Sequence, residues 1–263
     1  MDMMELIRTR KSVRTFDGKD IADTDIEKLT DYIKTVTNPY NIPVEFVLLN
    51  AKEHGLSSPV IQRENLYIAG KLPETEHCEE ALGYAFEKIV LHAWSLGIGT
   101  TWIGGTMNRE KFEREANLGK GEIMPCVSPL GYPAKKRSVK EIAMRTAIRA
   151  DKRIKGVELF FENSFSMPLH TDDTIIQNAL EAVRLAPSAV NKQPWRIVKI
   201  GNTSHFYKKQ SIGGSGAAWD VQKVDMGIAL CHFITITGGK LILSDPKIDT
   251  PKDTDYIASV IPE

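Results

Sequence analysis

At 263 residues with 42% hydrophobic side chains, the chain is long enough for one large or two small domains around a buried core. Its 34 basic residues balance 34 acidic ones, so no general attraction to nucleic acid or to an anionic membrane is expected. The three cysteines, Cys78, Cys126 and Cys231, are odd in number and far apart, which argues against a disulfide framework or a zinc site and for core or incidental thiols. No run approaches a membrane span, and Met1–Arg8 lacks the apolar centre of a signal peptide, so the expected location is the cytoplasm.

The first chemical signal along the chain is Arg8-Thr-Arg-Lys-Ser-Val-Arg-Thr-Phe16. Arg10, Lys11, Ser12 and Arg14 offer guanidinium forks, an ammonium and a hydroxyl, which suit a phosphate monoester; composition alone fits a solvated basic face better. Asp23–Ile33 reads as an amphipathic helix with Thr24 and Glu27 spaced as a capping box. Asn38-Pro-Tyr-Asn-Ile-Pro43 then reads as a loop and Val44–Leu49 as a strand. Leu82–His92 is an apolar helical run, the helix stops at Gly97, and Thr100–Thr106 reads as a strand running into Gly104 and Gly105. Ile123–Pro133 reads as a buried strand ending in a Gly-Tyr-Pro turn, followed by a basic stretch with Lys136 and Arg137.

In the second part of the chain, Thr171–Leu185 places Ile175, Ile176, Ala179, Leu180, Val183 and Arg184 on a helical period, and Pro187 stops it. The loop Pro187–Pro194 carries Ser188, Ala189 and Asn191, and Trp195–Ile200 alternates like a strand. Gly213-Gly-Ser-Gly216 lacks the order of a phosphate-cradling loop and reads as a surface loop. His92 and His232 close apolar helical runs without metal-ligand spacing and read as core histidines, with no metal expected.

The order of helix, loop and strand at Asp23–Leu49 recurs at Thr171–Ile200, and Leu82–His92 is echoed by Val224–His232. Two related halves, 1–162 and 163–263, are therefore expected. Each has kept what the other has lost. The first half has the basic segment but no Pro-Ser-x-x-Asn loop; the second has the loop, preceded by Phe160–Pro168, which contains no arginine or lysine.

Ala186-Pro-Ser-Ala-Val-Asn-Lys-Gln-Pro-Trp195, taken with Arg10-x-Ser12-x-Arg14, resembles the nitroreductase family of flavin enzymes. The resemblance implies an α+β fold: a mixed, largely antiparallel sheet flanked by helices in each half. The single-chain arrangement resembles the fused pseudo-dimer form of the TM nitroreductases, so a monomer built around one complete FMN site is expected. It further implies non-covalent FMN, with Arg10, Lys11, Ser12 and Arg14 at the phosphate, Gly104 and Gly105 beside the flavin's middle ring, Arg137 or Lys136 near the phosphate, and Pro187, Ser188, Ala189 and Asn191 along the cofactor. The expected activity is transfer of hydride from NAD(P)H to an electron-poor small molecule such as a nitroaromatic or quinone, with the flavin carrying the chemistry and no catalytic side chain nominated. A flavin-binding redox sensor or carrier, and a reductive-dehalogenase-like enzyme, are the alternatives at this stage.

Overall fold

The computed structural model describes residues 2–212 and 219–263. A short helix α1 (Met3–Thr9) buries Met4, Leu6 and Ile7. After it come α2 (Asp23–Thr35), the strands β1 (Glu45–Asn50) and β2 (Leu66–Pro73), and the long helix α3 (Cys78–Ser95). The first part continues through β3 (Gly99–Thr100), α4 (Arg109–Glu115), β4 (Glu122–Ile123), β5 (Val127–Gly131) and α5 (Val139–Ala147). The second part contains β6 (Phe160–Glu162), α6 (Thr174–Leu185), β7 (Trp195–Ile200), β8 (Thr203–Lys209), α7 (Val221–Thr237), β9 (Lys240–Ile242) and β10 (Thr254–Ile261).

These elements form two compact units, Thr9–Ala150 and Met1–Arg8 together with Asp151–Glu263. The division departs from the halves expected at 1–162 and 163–263. Strand β6 pairs in parallel with β7, Phe160 opposite Ile197 and Glu162 opposite Lys199, so those residues take their hydrogen-bond partners from the later segment.

In Thr9–Ala150 the strand order is β1-β2-β5-β3, with β4 paired to the end of β2; in the other unit it is β6-β7-β8-β10-β9. With β4 and β6 set aside, β1, β2, β5 and β3 correspond in order and antiparallel pairing to β7, β8, β10 and β9. The corresponding helices are α2 with α6 and α3 with α7. The duplication read from the sequence is thus visible in the topology. Helices α3 and α7 are buried over most of their length, α7 being apolar nearly all round and α3 burying Glu79, Glu80 and Glu87 among apolar residues. Their buried faces meet α2 and β2 in one unit and α6 and β8 in the other.

Several local expectations shift. Helix α2 is capped from Ala22, without a side-chain cap, so the Thr24–Glu27 box does not form. The Ala22 N–H donates to the Tyr132 hydroxyl at 3.2 Å, and Tyr132 in turn donates to Asp25 at 2.7 Å. Asp173 caps α6 by accepting from the amides of Ile175 and Ile176, so that helix starts at Thr174 rather than Thr171, and Ile175 faces outward. The strand expected over Thr100–Thr106 is reduced to β3 and an isolated bridge between Ile103 and Val127. The buried strand expected over Ile123–Pro133 is split into β4 and β5.

His232 lies fully inside, its Nδ1 at 2.8 Å from the Ala182 carbonyl, whereas His92 is half-buried and stacked on Tyr32 with ring centroids 4.0 Å apart. All three cysteines are buried. The Gly213–Gly216 segment lies outside the described residues. No described helix is long and apolar enough to cross a membrane, and no group of three His, Cys, Asp or Glu among the described residues is placed to hold a metal ion.

Candidate functional site

In the Thr9–Ala150 unit, the basic segment is laid against the sheet edge by backbone pairing. Ser12 bridges Thr100 in parallel, the Val13 amide donates to the Thr100 carbonyl at 2.8 Å, and Thr15 bridges Gln62. The close approach needs residues without side chains underneath. A Cβ on Gly99 would lie 2.7 Å from Val13, and one on Gly131 would lie 2.8 Å from the Phe16 ring.

This pairing fixes the direction of the two arginines. Arg10 is buried, with Nε 3.9 Å from Glu87, itself fully inside α3 and also accepting from Trp102 Nε1 at 3.1 Å. Arg10 Nε and Arg14 Nη1 are both buried donors without a hydrogen-bond partner. Desolvation lowers the pKa of both guanidinium groups; Glu87 and Glu141 act against this for Arg10 and Arg14 respectively, and the charge of Arg145 lowers both further. A buried cation and a partly buried one, both repelled by a third and with buried N–H groups lacking acceptors, form a place short of an anion. Ser12 is half-buried beside them, while Lys11 is exposed and reaches the Trp94 ring, with Nζ 5.9 Å from its centroid.

The third arginine reaches this place by a route that the sequence reading missed. Ser138 caps α5 by accepting from the Glu141 amide at 3.1 Å, and the Thr15 hydroxyl lies 2.8 Å from Glu141 Oε2. That contact ties the start of α5 to the basic segment, and Arg145 follows one turn beyond Glu141. Arg137, the residue expected here, instead places Nε 3.5 Å from Glu141 with its side chain nearly half exposed, and Lys136 is exposed. The Ser138-x-x-Glu141 spacing is a capping signal that pointed to this helix.

Gly104 and Gly105 lie in a bend rather than a strand. The Arg109 guanidinium donates to the carbonyls of Gly104, at 2.5 Å, and Met124, at 2.6 Å, and so holds the bend in shape. A Cβ on Gly105 would find nothing within 4 Å, leaving the main chain open there.

In the other unit, the Pro187 loop is strained and heavily tied. Val190, Asn191 and Gln193 have φ of 42°, 58° and 51°, left-handed positions that are costly for residues with side chains and most of all for a β-branched one. Ser188 Oγ accepts from the Gln193 amide at 2.9 Å, and the Asn191 amide donates to the Ser188 carbonyl at 3.0 Å. Arg153 donates to Asn191 Oδ1 at 3.2 Å, Asn191 Nδ2 donates to the Lys152 carbonyl at 2.9 Å, and the buried Gln193 accepts from the Ile154 amide at 2.9 Å. The Ala189 amide points at Asp225 of α7, whose carboxyl oxygens lie 3.0 and 3.2 Å away. Pro187 ends the preceding helix as expected, after Leu185.

Asp225 was also passed over in the sequence, inside the apolar run Val224–His232. Burial holds its carboxyl well above the usual carboxylate range, and the nearby Asp220 adds to the shift, against the Ala189 amide. The unfolded chain gives up this proton at about pH 3.9 while the folded chain retains it. Stability should therefore fall as pH rises above that value, until the folded group ionises as well. Asp225→Asn should flatten that part of the profile, measured by urea unfolding from acid to neutral pH; an unchanged slope would show that Asp225 is ionised in the folded protein.

The family model described as "Putative TM nitroreductase" matches residues 2–236. The chain belongs to this nitroreductase family. The match takes in the Arg10 segment, the Gly104 bend and the Pro187 loop. The crystal structure of a "putative nitroreductase" from Thermotoga maritima superposes with a TM-score of 0.62 at 21% identity, covering 99% of this chain and 94% of that one, which shows the nitroreductase-like fold over both units. A "Putative NADH dehydrogenase/NAD(P)H nitroreductase" from Methanothermobacter thermautotrophicus is 24% identical over 160 residues, 54% of this chain and 83% of the relative. This nitroreductase-family chain is thus longer than a relative that it matches over about half of its own length.

Proposed function

We propose that the chain is an FMN-dependent NAD(P)H oxidoreductase that reduces an electron-poor small molecule of nitroaromatic or quinone type. The observation that carries this reading is the pair of buried guanidinium donors, Arg10 Nε and Arg14 Nη1, left without acceptors beside the charge of Arg145. A phosphate monoester has the charge and the oxygens that these groups lack. Bound non-covalently, FMN would supply the hydride chemistry between nicotinamide and acceptor. Arg10, Ser12, Arg14 and Arg145 would hold its phosphate. The open main chain at Gly104–Gly105 would give a flat ring room to approach, and Ser188, Ala189 and Asn191 are the loop contacts proposed for the rest of the cofactor. The name of the Methanothermobacter relative supports a nicotinamide donor.

The experiment is reconstitution with FMN, an absorbance spectrum, and anaerobic addition of NADH or NADPH, with bleaching expected. One flavin per chain is expected, because the basic segment and the Pro-Ser-x-x-Asn loop each occur only once. A ratio of two would end the argument from complementary loss.

Asn191→Ala should weaken FMN and riboflavin alike, by about threefold to tenfold for one hydrogen bond. Asn41 occupies the corresponding loop of the other unit and shares a left-handed backbone, with φ of 55°. Its loop is closed on itself, Asn38 Nδ2 donating to the Ile42 carbonyl at 2.7 Å and Asn38 Oδ1 accepting from the Tyr40 amide at 3.1 Å. Asn41→Ala should leave flavin affinity unchanged; loss of flavin there, with Asn191→Ala silent, would reverse the assignment.

A further inference from the structure

We propose that Asp225 is the positioning residue of the Pro187–Gln193 loop, fixing the left-handed turn at Val190 and Asn191 by holding the Ala189 amide from α7. The bonds among Ser188, Ala189, Asn191, Lys192 and Gln193 are internal to the loop and would move with it. Lys152, Arg153 and Ile154 tie it to irregular chain. Asp225 differs because its helix is set in the core by Val224, Met226, Ile228, Ala229 and Leu230, all at most 3% exposed. Strained backbone persists where its surroundings over-determine it, and a rigid acceptor at the residue just before the strain is the strongest of these restraints.

The cost of the arrangement points the same way. Asp225 is 3% exposed, and among the described residues its two oxygens share a single donor, the Ala189 N–H, with no cation opposite. A leucine or methionine would suit an apolar helix face better, so the carboxyl serves the loop rather than the helix. With the group neutral, asparagine is its near-isostere and can present the same acceptor oxygen.

The flavin part of the test rests on the function proposed above; the backbone part does not. Amide hydrogen exchange in the cofactor-free protein reads the loop directly. Asp225→Leu should speed exchange at Ala189 at least tenfold and shift the resonances of Val190 and Asn191, with protection at Ile228–Leu230 in α7 unchanged. Asp225→Asn should restore both to near the wild-type values, an outcome that a merely space-filling role would not produce. Should leucine disturb α7, Asp225→Ala adds no atoms to the core and replaces it. In flavin titrations, the leucine or alanine variant should lose about tenfold in affinity for FMN and riboflavin equally, as expected for one lost contact. Unchanged exchange at Ala189 in the leucine and alanine variants, or an asparagine variant as damaged as these, would overturn the proposal. A wild-type protein that binds no flavin would overturn the proposed function and leave the exchange result to judge Asp225.

Discussion

Removing Arg10 and Arg14 together should weaken FMN binding by about two to four orders of magnitude, one to two for each charge-assisted contact, while leaving riboflavin binding unchanged. Riboflavin is the control because it has every part of FMN except the phosphate. The single variants should differ in stability, for a reason visible in their partners. Arg14→Ala removes a partly buried cation that carries an unmet donor and is repelled by Arg145, and the buried Glu141 near it keeps the Arg137 guanidinium and the Thr15 hydroxyl, so the cofactor-free protein should lose less stability than with Arg10→Ala. Arg10→Ala also strips Glu87, fully buried, of the guanidinium beside it, which should destabilise the fold; adding Glu87→Gln should recover much of that loss. Flavin fluorescence titration and urea unfolding measure the two effects separately. If both arginine variants bind FMN as tightly as wild type, the segment is not a phosphate site.

The second large effect lies at Trp195, fully buried at the start of β7 directly after the loop. Trp195→Ala should cost about 3–5 kcal/mol, since truncating a large buried aromatic loses its transfer energy and leaves a cavity. Trp195→Phe should cost much less. The indole Nε1 is buried without a hydrogen-bond partner, so phenylalanine keeps most of the packing and removes an unmet donor. Denaturation of the cofactor-free protein checks both. Equal losses in the two variants would show that the indole nitrogen has a stabilising partner after all.

Helical periodicity and turn chemistry were local enough to be read from the chain. The stop at Pro187, the strand beginning at Trp195 and the apolar runs that became α3 and α7 depend on neighbouring residues in sequence, and they stand in the structure within a few residues of where they were expected. Helix starts were less legible. The Thr24–Glu27 spacing satisfied a local rule, but the chain entering α2 finds its partner in Tyr132, more than a hundred residues away. Similarly, Gly104 and Gly105 continue a strand-like sequence, yet Arg109 draws their bend towards Met124 and Pro125.

By itself the sequence determined the repeated order of elements and the segments that carry chemistry, because composition, period and proline placement are properties of short stretches. Tertiary structure decided which charges meet. Arg137 and Arg145 stand in the same basic region; Arg137 meets Glu141 four residues on, and the contact between Thr15 and Glu141 ties their helix to the basic segment, where the charge of Arg145 bears on Arg10 and Arg14. Glu87 and Asp225 lie within long, largely buried helices, and nothing local tells a buried carboxyl from a solvated one. What each does follows from the group across from it, an arginine for Glu87 and a strained loop amide for Asp225. Electrostatic and hydrogen-bond partners are chosen by distance in space, and that is set only when the sheets and helices have packed.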